Sequence, residues 1–520
     1  MTRDPEVTLV EGGRVYDHDG DTDQPPVSDI LVIESRIAAI EPEIGARIRA
    51  GKGHQSLGDR RVEQWIDGRD KLVMPGFVSA HYHSHDVLLR GSFEAVPLDY
   101  WLMTATPPSY PPRSLEELRA RTLLGAIDCL RGGITTVQDM ATIFPYSEEA
   151  VDTVLDAYAE VGIRCIFSLQ VVDITSLDMI PFWDECVPKE FHDGVKVTVE
   201  PFGEVDLARL LEDLYKSRRG KHDLITWSLG PSTPERCTRG LLESLADLSK
   251  RENLPIYTHI YENKAMALAA RRKHKDYGGS LVNFIEAAGV LGPHVSLAHS
   301  IWLLEDEIDK LAATGTNVVL CPASNMKSKS GVAPMREFVD RGVPVAIGTD
   351  NCACSDTQNM FHSMKLFVGL AAVSKLEPGP PYAKDAIRAA TLGGARTAAM
   401  NNDIGALKPG MKADLFLLDL TDTSHVPLNS AARQTVFSEA GRAVRLVMVD
   451  GRVVIKDGRA TTIDEAALRE LVAEVMPQLR HDRATVLEQA ERIYPYILEA
   501  DRLTWQEDVG THRYLGKSPN

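Results

Sequence analysis

Eight apolar runs of strand length recur between residues 71 and 350, and most are followed by an amphipathic helical pattern: KLVMPGFVSA, GITTVQDM, RCIFSLQVV, LITWSLG, LPIYTH, HVSLAHS, NVVLCP and VPVAIGTD. Helices such as SLEELRARTLLGAIDCLRGG and TRGLLESLADLSKREN between the runs carry the chain back to start the next strand in parallel. Repeated eight times, that unit predicts a (β/α)8 TIM-type barrel of the α/β class, in which chemistry gathers at the C-terminal ends of the strands. An open doubly wound sheet is the competitor, but no glycine-rich phosphate fingerprint follows the first run.

Shorter β-like runs bracket this region. VTLVEGGRVY and DILVIESRIAAIEP precede it, while ADLFLLDL and VRLVMVDGRVVIKDGRA follow it, the last with the hairpin signal Asp450-Gly451. The predicted division is a β-sandwich domain built from both chain ends (1–72 and 399–461), a catalytic barrel (73–398) and a C-terminal helical extension and tail (462–520). The helical pattern runs from about 462 to 498, includes Tyr494 and Tyr496, and reads as a cover for the barrel or a contact for a second subunit.

A chain of 520 residues with 44% hydrophobic content can bury a large core. Its 57 basic and 74 acidic residues give a net charge of -17, which disfavours nucleic acid and anionic membrane surfaces as partners. No run approaches the roughly 18 apolar residues of a membrane span, and the first residues are acidic where a signal peptide needs an apolar stretch. Seven cysteines without zinc-finger spacing read as reduced thiols. The expectation is a soluble, uncleaved cytoplasmic protein that binds a small-molecule substrate and forms a homo-oligomer, a dimer or larger.

The strand ends carry the chemistry. Side chains at i and i+2 of a strand share a face, so His81 and His83 at the end of the first run can chelate together. LPIYTH ends at His259, HVSLAHS carries His299 and VPVAIGTD ends at Asp350, which brings four imidazoles and a carboxylate to one rim. Such ligands suit Zn²⁺, and also Fe²⁺, Co²⁺ or Mn²⁺. An ion of this kind lowers the pKa of its water to about 7. Glu262, three residues after His259, is placed to move the proton as general acid/base; a solvated glutamate at a helix start is the plainer alternative. The predicted ligands are His81, His83, His259 and Asp350. Asp350 also assists catalysis, and His299 is either a fifth ligand or the group that polarises the bond attacked.

PGFVSAHYH, THIYE, LAHS, CPASN and GTD, in this order, resemble the amidohydrolase superfamily, in particular its triazine hydrolase and aminohydrolase branch, which includes cytosine, guanine and adenosine-analogue deaminases. ATLGGARTAAM, DIGALKPGMKADLFLLD and VMVDGRVVIKDGRA resemble that family's exit from the barrel and return to the sandwich. The resemblance covers about 70 to 460. It implies one divalent ion, Zn²⁺ first, on the four predicted ligands, with Glu262 as proton shuttle and His299 as the substrate-activating histidine. Two-metal relatives carry a bridging lysine at the end of strand 4; LITWSLGPS has none, which favours one metal. Many deaminases of the branch have Pro-His after strand 4, where GPSTPER offers Pro231 and Ser232, and this departure counts against a nucleoside or purine.

Lesser candidates follow. The family resemblance places Ser324 and Asn325 in the pocket, although turn residues would look the same. Ser232 is a substrate contact or a turn residue. His85 reads as a loop residue, and the Cys352 and Cys354 pair as a poor metal site. The long connection 92 to 112 offers Phe93, Trp101 and Tyr110 to a ring substrate, Trp101 foremost. The function expected is metal-dependent hydrolysis of a non-peptide C–N bond, most simply deamination of an amino-substituted heterocycle. Cleavage of an amide, aryl urea or carbamate and hydrolytic dehalogenation of a triazine-like ring are the rivals. A non-catalytic scaffold is the remote alternative.

Overall fold

The first apolar run does not form one strand. In the computed structural model, which describes residues 5–174, 180–192 and 206–514, it divides at Gly76. Strands β1 (Val7–Val15), β2 (Val27–Ile33), β3 (Arg36–Glu41), β4 (Gln64–Asp67) and β5 (Lys71–Pro75) belong to one sheet, and β6 (Phe77–His83) begins another. A Cβ at residue 76 would lie 2.1 Å from Thr135 Oγ1, so only glycine lets the chain pass that close to its neighbour. The change of sheet therefore falls at Gly76 rather than between residues 72 and 73.

The barrel strands are β6, β7 (Ile134–Ala141), β8 (Arg164–Val171), β9 (Ile225–Trp227) with β10 (Gly230–Pro231), β11 (Ile256–Ile260), β12 (Val295–His299), β13 (Asn317–Leu320), and β14 (Val345–Ile347) with β15 (Asp350–Asn351). Their pairings are parallel. LITWSLG and VPVAIGTD each bend within the run, which splits their strands in two. Backbone hydrogen bonds close the ring at both seams. Leu229 bridges Ile256, with Leu229 N donating to Pro255 O at 2.8 Å and Tyr257 N to Leu229 O at 2.9 Å. At the other seam Asp350 pairs with Tyr82, and Thr349 N donates to His81 O at 3.1 Å. Eight strand positions thus encircle one axis, as the alternation of the sequence predicts.

Strands β16 (Leu415–Asp419), β17 (Val444–Val449), β18 (Arg452–Lys456) and β19 (Arg459–Ala460) complete the first sheet, in the order β19-β18-β17-β16-β5-β1-β2-β3 with β4 also on β1. β1 is shared: Thr8–Glu11 runs beside β4 and Arg14–Val15 beside β5. That fork folds the sheet over, so that Val10, Ile30 and Ile37 pack against Leu415, Leu417 and Leu446 in one core. Arg164 at the start of β8 ties this unit to the barrel. Its guanidinium donates to both carboxylate oxygens of Asp414, at 3.0 and 3.1 Å, and to Asp450 at 3.0 Å, and both Arg164 and Asp414 are buried.

The C-terminal helix is longer than its pattern predicts, spanning Glu465–Gln506. It lies over the helix Leu98–Ala105, part of the long connection after β6, with Leu479 and Val486 beside Leu98 and Trp101, and Ile493 and Ile497 in a cluster with Tyr100 and Trp183. The residues after the helix do not trail away, because they have apolar surface to bury. Val509 is buried, Tyr514 stacks on Trp505 with centroids 3.6 Å apart, and Arg513 O accepts from Val332 N at 2.7 Å. Residues 515–520 of the expected tail lie outside the described residues. No described helix is long and apolar enough to cross a membrane.

The buried Arg164 pair yields a stability prediction. Removing one partner strands the other's charge, so Arg164→Ala should lower unfolding free energy by about 3–5 kcal/mol in urea denaturation. Arg164→Lys should recover only part of it, since an ammonium cannot reproduce the two-pronged contact with Asp414.

Candidate active site

Sequence-distant strand ends meet at the barrel mouth. His81 Nε2 lies 3.1 Å from His83 Nε2 and 3.3 Å from Asp350 Oδ1; His83 Nε2 lies 3.3 Å from His259 Nε2 and 3.5 Å from Asp350 Oδ1. His299 belongs to the same cluster, since one ligand atom each from His81, His299 and Asp350 fall within 4.8 Å of one another. All five side chains are buried. Tight backbone turns deliver them: Tyr261, His299, Ser300 and Asp350 have φ of 48°, 66°, 51° and 60°, a left-handed conformation that costs free energy in non-glycine residues and gathers at functional sites. Gly348 lets two strands approach, since a Cβ there would sit 2.7 Å from His81 Cβ.

Two backbone carbonyls decide what this cluster can bind. His83 Nδ1 lies 2.8 Å from Met140 O, and His259 Nδ1 lies 2.6 Å from Ser232 O. A carbonyl only accepts, so both rings donate from Nδ1, and in the neutral form each Nε2 is a bare lone pair. Two bare lone pairs 3.3 Å apart repel unless a cation lies between them. Asp350 Oδ1 adds a buried acceptor without a hydrogen-bond donor. For metal bonds of about 2.0–2.1 Å, tetrahedral ligand atoms stand about 3.3–3.4 Å apart, close to the separations seen here. The donor set therefore fits a divalent ion.

Protonation states agree with this role. Burial pushes His81 down to about 4 against the pull of Asp350, and it depresses His83 and, with the neighbouring imidazoles, holds His259 well below the usual range. Burial alone would raise Asp350, but the imidazoles around it, His81 foremost, hold it well below the ordinary carboxylate value. At neutral pH the set is thus neutral imidazoles with an ionised carboxylate, the form that ligates metal.

Glu262 stands beside it, with Oε2 at 3.5 Å from His299 Nε2. Burial pushes its carboxyl up to about 7; His299 pulls it down, while Asp350, Asp99 and Glu235 push it further up. A carboxyl titrating near neutrality can both take and return a proton. Asn325 Oδ1 accepts from His299 Nδ1 at 2.8 Å, which fixes the ring from behind.

The pocket over this cluster is lined by Trp101, Ser232, Glu262, His299 and Asp350 among the residues expected from sequence, and His85 joins them, 3.2 Å from Asn351 Nδ2. Ser324 and Asn325 stand away from the pocket wall: the Ser324 hydroxyl donates to Cys321 O at 3.1 Å, and Asn325 serves His299. Phe93 and Tyr110 pack into the cluster beneath the C-terminal helix. Cys352 accepts a hydrogen bond from Arg90, and Cys354 is buried among apolar side chains. Asp99, Gln170, Glu235 and Arg236 line the pocket without any warning in the sequence. Gln170 Nε2 donates to Ser232 Oγ at 2.6 Å. Glu235 lies in the GPSTPER stretch, and neither of its carboxylate oxygens makes a well-formed hydrogen bond. Burial pushes both Asp99 and Glu235 up to about 7.

Comparison with known proteins gives a consistent picture. The sequence profile of the amidohydrolase family matches residues 72–454. A 5'-deoxyadenosine deaminase of Methanothermobacter thermautotrophicus is 30% identical over 476 residues, covering 92% of this chain and 99% of its own. A 5-methylthioadenosine/S-adenosylhomocysteine deaminase of Symbiobacterium thermophilum is 32% identical over 454 residues, covering 86% and 93%. Among solved structures, an adenosine deaminase from Xanthomonas campestris with bound zinc superposes with a TM-score of 0.77 at 25% identity, covering 91% of this chain and 98% of that one. Atrazine chlorohydrolase from Arthrobacter aurescens, at 23% identity, shares the fold with a TM-score of 0.74, covering 90% and 100%.

The bare lone pairs of His83 and His259 make stability depend on the ion. Stripping the protein with a chelator should lower its melting temperature, and Zn²⁺ or Co²⁺ should restore it; binding at 1,000 times Kd is worth about 4 kcal/mol. In His259→Ala the restoration should be lost.

Proposed function

The chain belongs to the amidohydrolase family and is a metal-dependent hydrolase of carbon–nitrogen bonds; from that premise we propose that it deaminates an adenosine-like amino heterocycle, with one Zn²⁺ held by His81, His83, His259 and Asp350. The observation that carries this reading is Glu262, a partly buried carboxyl poised near neutrality 3.5 Å from His299 and beside the ligand cluster. Two relatives that match most of the chain are deaminases of adenosine analogues by name, which supports the substrate class. In this reading the protein works in the cytoplasm, where its seven unbridged cysteines are at home, and as a homo-oligomer, for which Val373, Leu376 and Tyr382 are exposed large hydrophobic side chains.

When bound by His81, His83, His259 and Asp350, such an ion would supply Lewis-acid activation of water near neutral pH. The protein's own groups do the rest. Glu262 accepts a proton as water attacks the sp² carbon and passes it on within the pocket. One of the water's protons ends on the leaving amino nitrogen, which departs as ammonia, and the other ends on the ring nitrogen, while the oxygen stays on carbon as the new carbonyl. Asn325 holds the His299 ring with Nε2 toward the reacting atoms. Asp350, with its bare Oδ1 beside His81, assists the proton transfers from the ligand side. Trp101, Leu102 and Phe144 give the heterocycle an apolar wall, and Glu235 and Asp99 accept hydrogen bonds from donors on the remote part of the substrate. Ser232, fixed by Gln170, occupies the position where many deaminases of the branch carry histidine. That departure keeps aryl ureas, amides, carbamates and halotriazines in any substrate panel.

Glu262→Gln should lower kcat by about 10²–10⁴-fold while leaving bound zinc unchanged. Because a general base must be unprotonated, the parent's kcat/KM should fall as pH drops through the Glu262 pKa, about 7, and the variant should lose that limb. Ammonia release from 5'-deoxyadenosine and 5'-methylthioadenosine tests the substrate class; release of amine or chloride from the other compounds, with no ammonia from either nucleoside, would overturn it.

A further inference from the structure

Behind the catalytic pocket, the fold buries a guanidinium that the protein does not satisfy. Arg121 stands on the helix Leu115–Arg131 and is 3% exposed. Its Nε has no hydrogen-bond partner, and among the described residues no side chain forms a hydrogen bond or salt bridge with it. The carboxylates around it are engaged elsewhere. Glu117 takes a two-pronged contact from Arg113, at 2.9 and 2.6 Å. Asp139 accepts from the Ser84 backbone and hydroxyl and from Tyr158 OH. Asp86 accepts from the backbone N–H groups of Cys352 and Ala353. An arginine cannot escape burial by losing its charge, as a buried carboxyl can by taking a proton. Its donors must therefore face something else.

What they face is a second cavity, whose lining shares only Arg121's neighbours Ile143 and Phe144 with the catalytic pocket. Across it lies the start of the helix Glu148–Val161, 14 residues long, with Ser147 as its cap. Ser147 Oγ accepts from Ala150 N at 3.1 Å, which leaves its hydroxyl proton free to donate, and Ser147 and Ala150 both line the cavity. A helix start adds partial positive charge, here answered in part by the exposed Glu148 and Glu149 of its first turn. Pro107 and Leu118 form a buried apolar wall, and Pro112, Pro145 and Ser147 are exposed at the mouth. A buried cation without a hydrogen-bond partner and, at the exposed mouth, a donor hydroxyl at a helix N-terminus thus line one cavity.

We infer that this cavity is an anion-binding site, which takes a small carboxylate, oxyanion or halide from solution between the Arg121 guanidinium and Ser147. The flat guanidinium fork suits a carboxylate or nitrate in two-pronged fashion. Such an anion ties together the connections after β6 and β7, which also supply Pro108, Ile143 and Phe144 to the catalytic pocket. The site stands apart from the metal cluster and does not depend on which C–N bond is cleaved.

The test uses the metal-loaded full chain in a buffer whose only anion is a bulky sulfonate. Sodium acetate, nitrate, chloride and phosphate are titrated separately at constant ionic strength while the melting temperature is followed. At least one of them should raise it saturably, by about 2 °C or more. Arg121→Met should lose most of that increment, and Arg121→Lys should keep part of it. An equal increment in Arg121→Met, or no saturable increment in the parent with any of the four, overturns the assignment. If Arg121→Met does not fold, bromide-soaked crystals of the parent decide alone: an anomalous peak within hydrogen-bond reach of Arg121 supports the site, and its absence rejects it.

Discussion

Two imidazole nitrogens that cannot share a proton set the terms for this molecule. Because Met140 and Ser232 carbonyls claim the Nδ1 protons of His83 and His259, their facing Nε2 lone pairs lie 3.3 Å apart with no proton to share between them. Burial forbids the usual remedy, since a desolvated imidazolium is expensive and the neighbouring rings resist a further charge. A cation placed among them, with the Asp350 carboxylate as counter-charge, resolves both problems together. The cluster is then a site that folding leaves incomplete, and binding of the ion completes it.

The remainder of the architecture holds that arrangement still. The closed barrel fixes the ligand strands relative to one another, and the seam between β6 and β15 places Asp350 opposite Tyr82, beside the His81 and His83 pair. The sheet built from both chain ends braces the barrel's far side through Arg164, Asp414 and Asp450. On the mouth side the C-terminal helix presses the Leu98–Ala105 helix into place, with Tyr494 against Tyr100 at 4.2 Å and Asp482 paired with Arg113 at 2.7 Å. That helix in turn supplies Asp99 and Trp101 to the pocket, so the C-terminal helix shapes the pocket wall through it.

The barrel and the cluster at its mouth were legible in the sequence because both are written locally. A strand followed by a helix leaves a periodic trace within about thirty residues, and a histidine or aspartate at the end of an apolar run declares which rim it joins. The pocket was not legible in the same way. Asp99 and Glu235 look like any acidic residues at a helix start or in a turn, and only the packing of distant elements turns them inward. Asn325 sits in a motif that the family resemblance places at the pocket, yet its Oδ1 is spent on His299. The split of the first run at Gly76 was hidden for a related reason. Its apolar residues read as one strand, and what separates them is a close approach to Thr135, nearly sixty residues away.

The most direct measurement of the central claim is X-ray absorption at the zinc edge of the zinc-loaded protein. A shell of nitrogen and oxygen at about 2.0–2.1 Å, with the multiple scattering of several imidazoles that diminishes in His259→Ala, is what the geometry requires. A sulfur shell at about 2.3 Å, or an imidazole signal that His259→Ala leaves untouched, would contradict it.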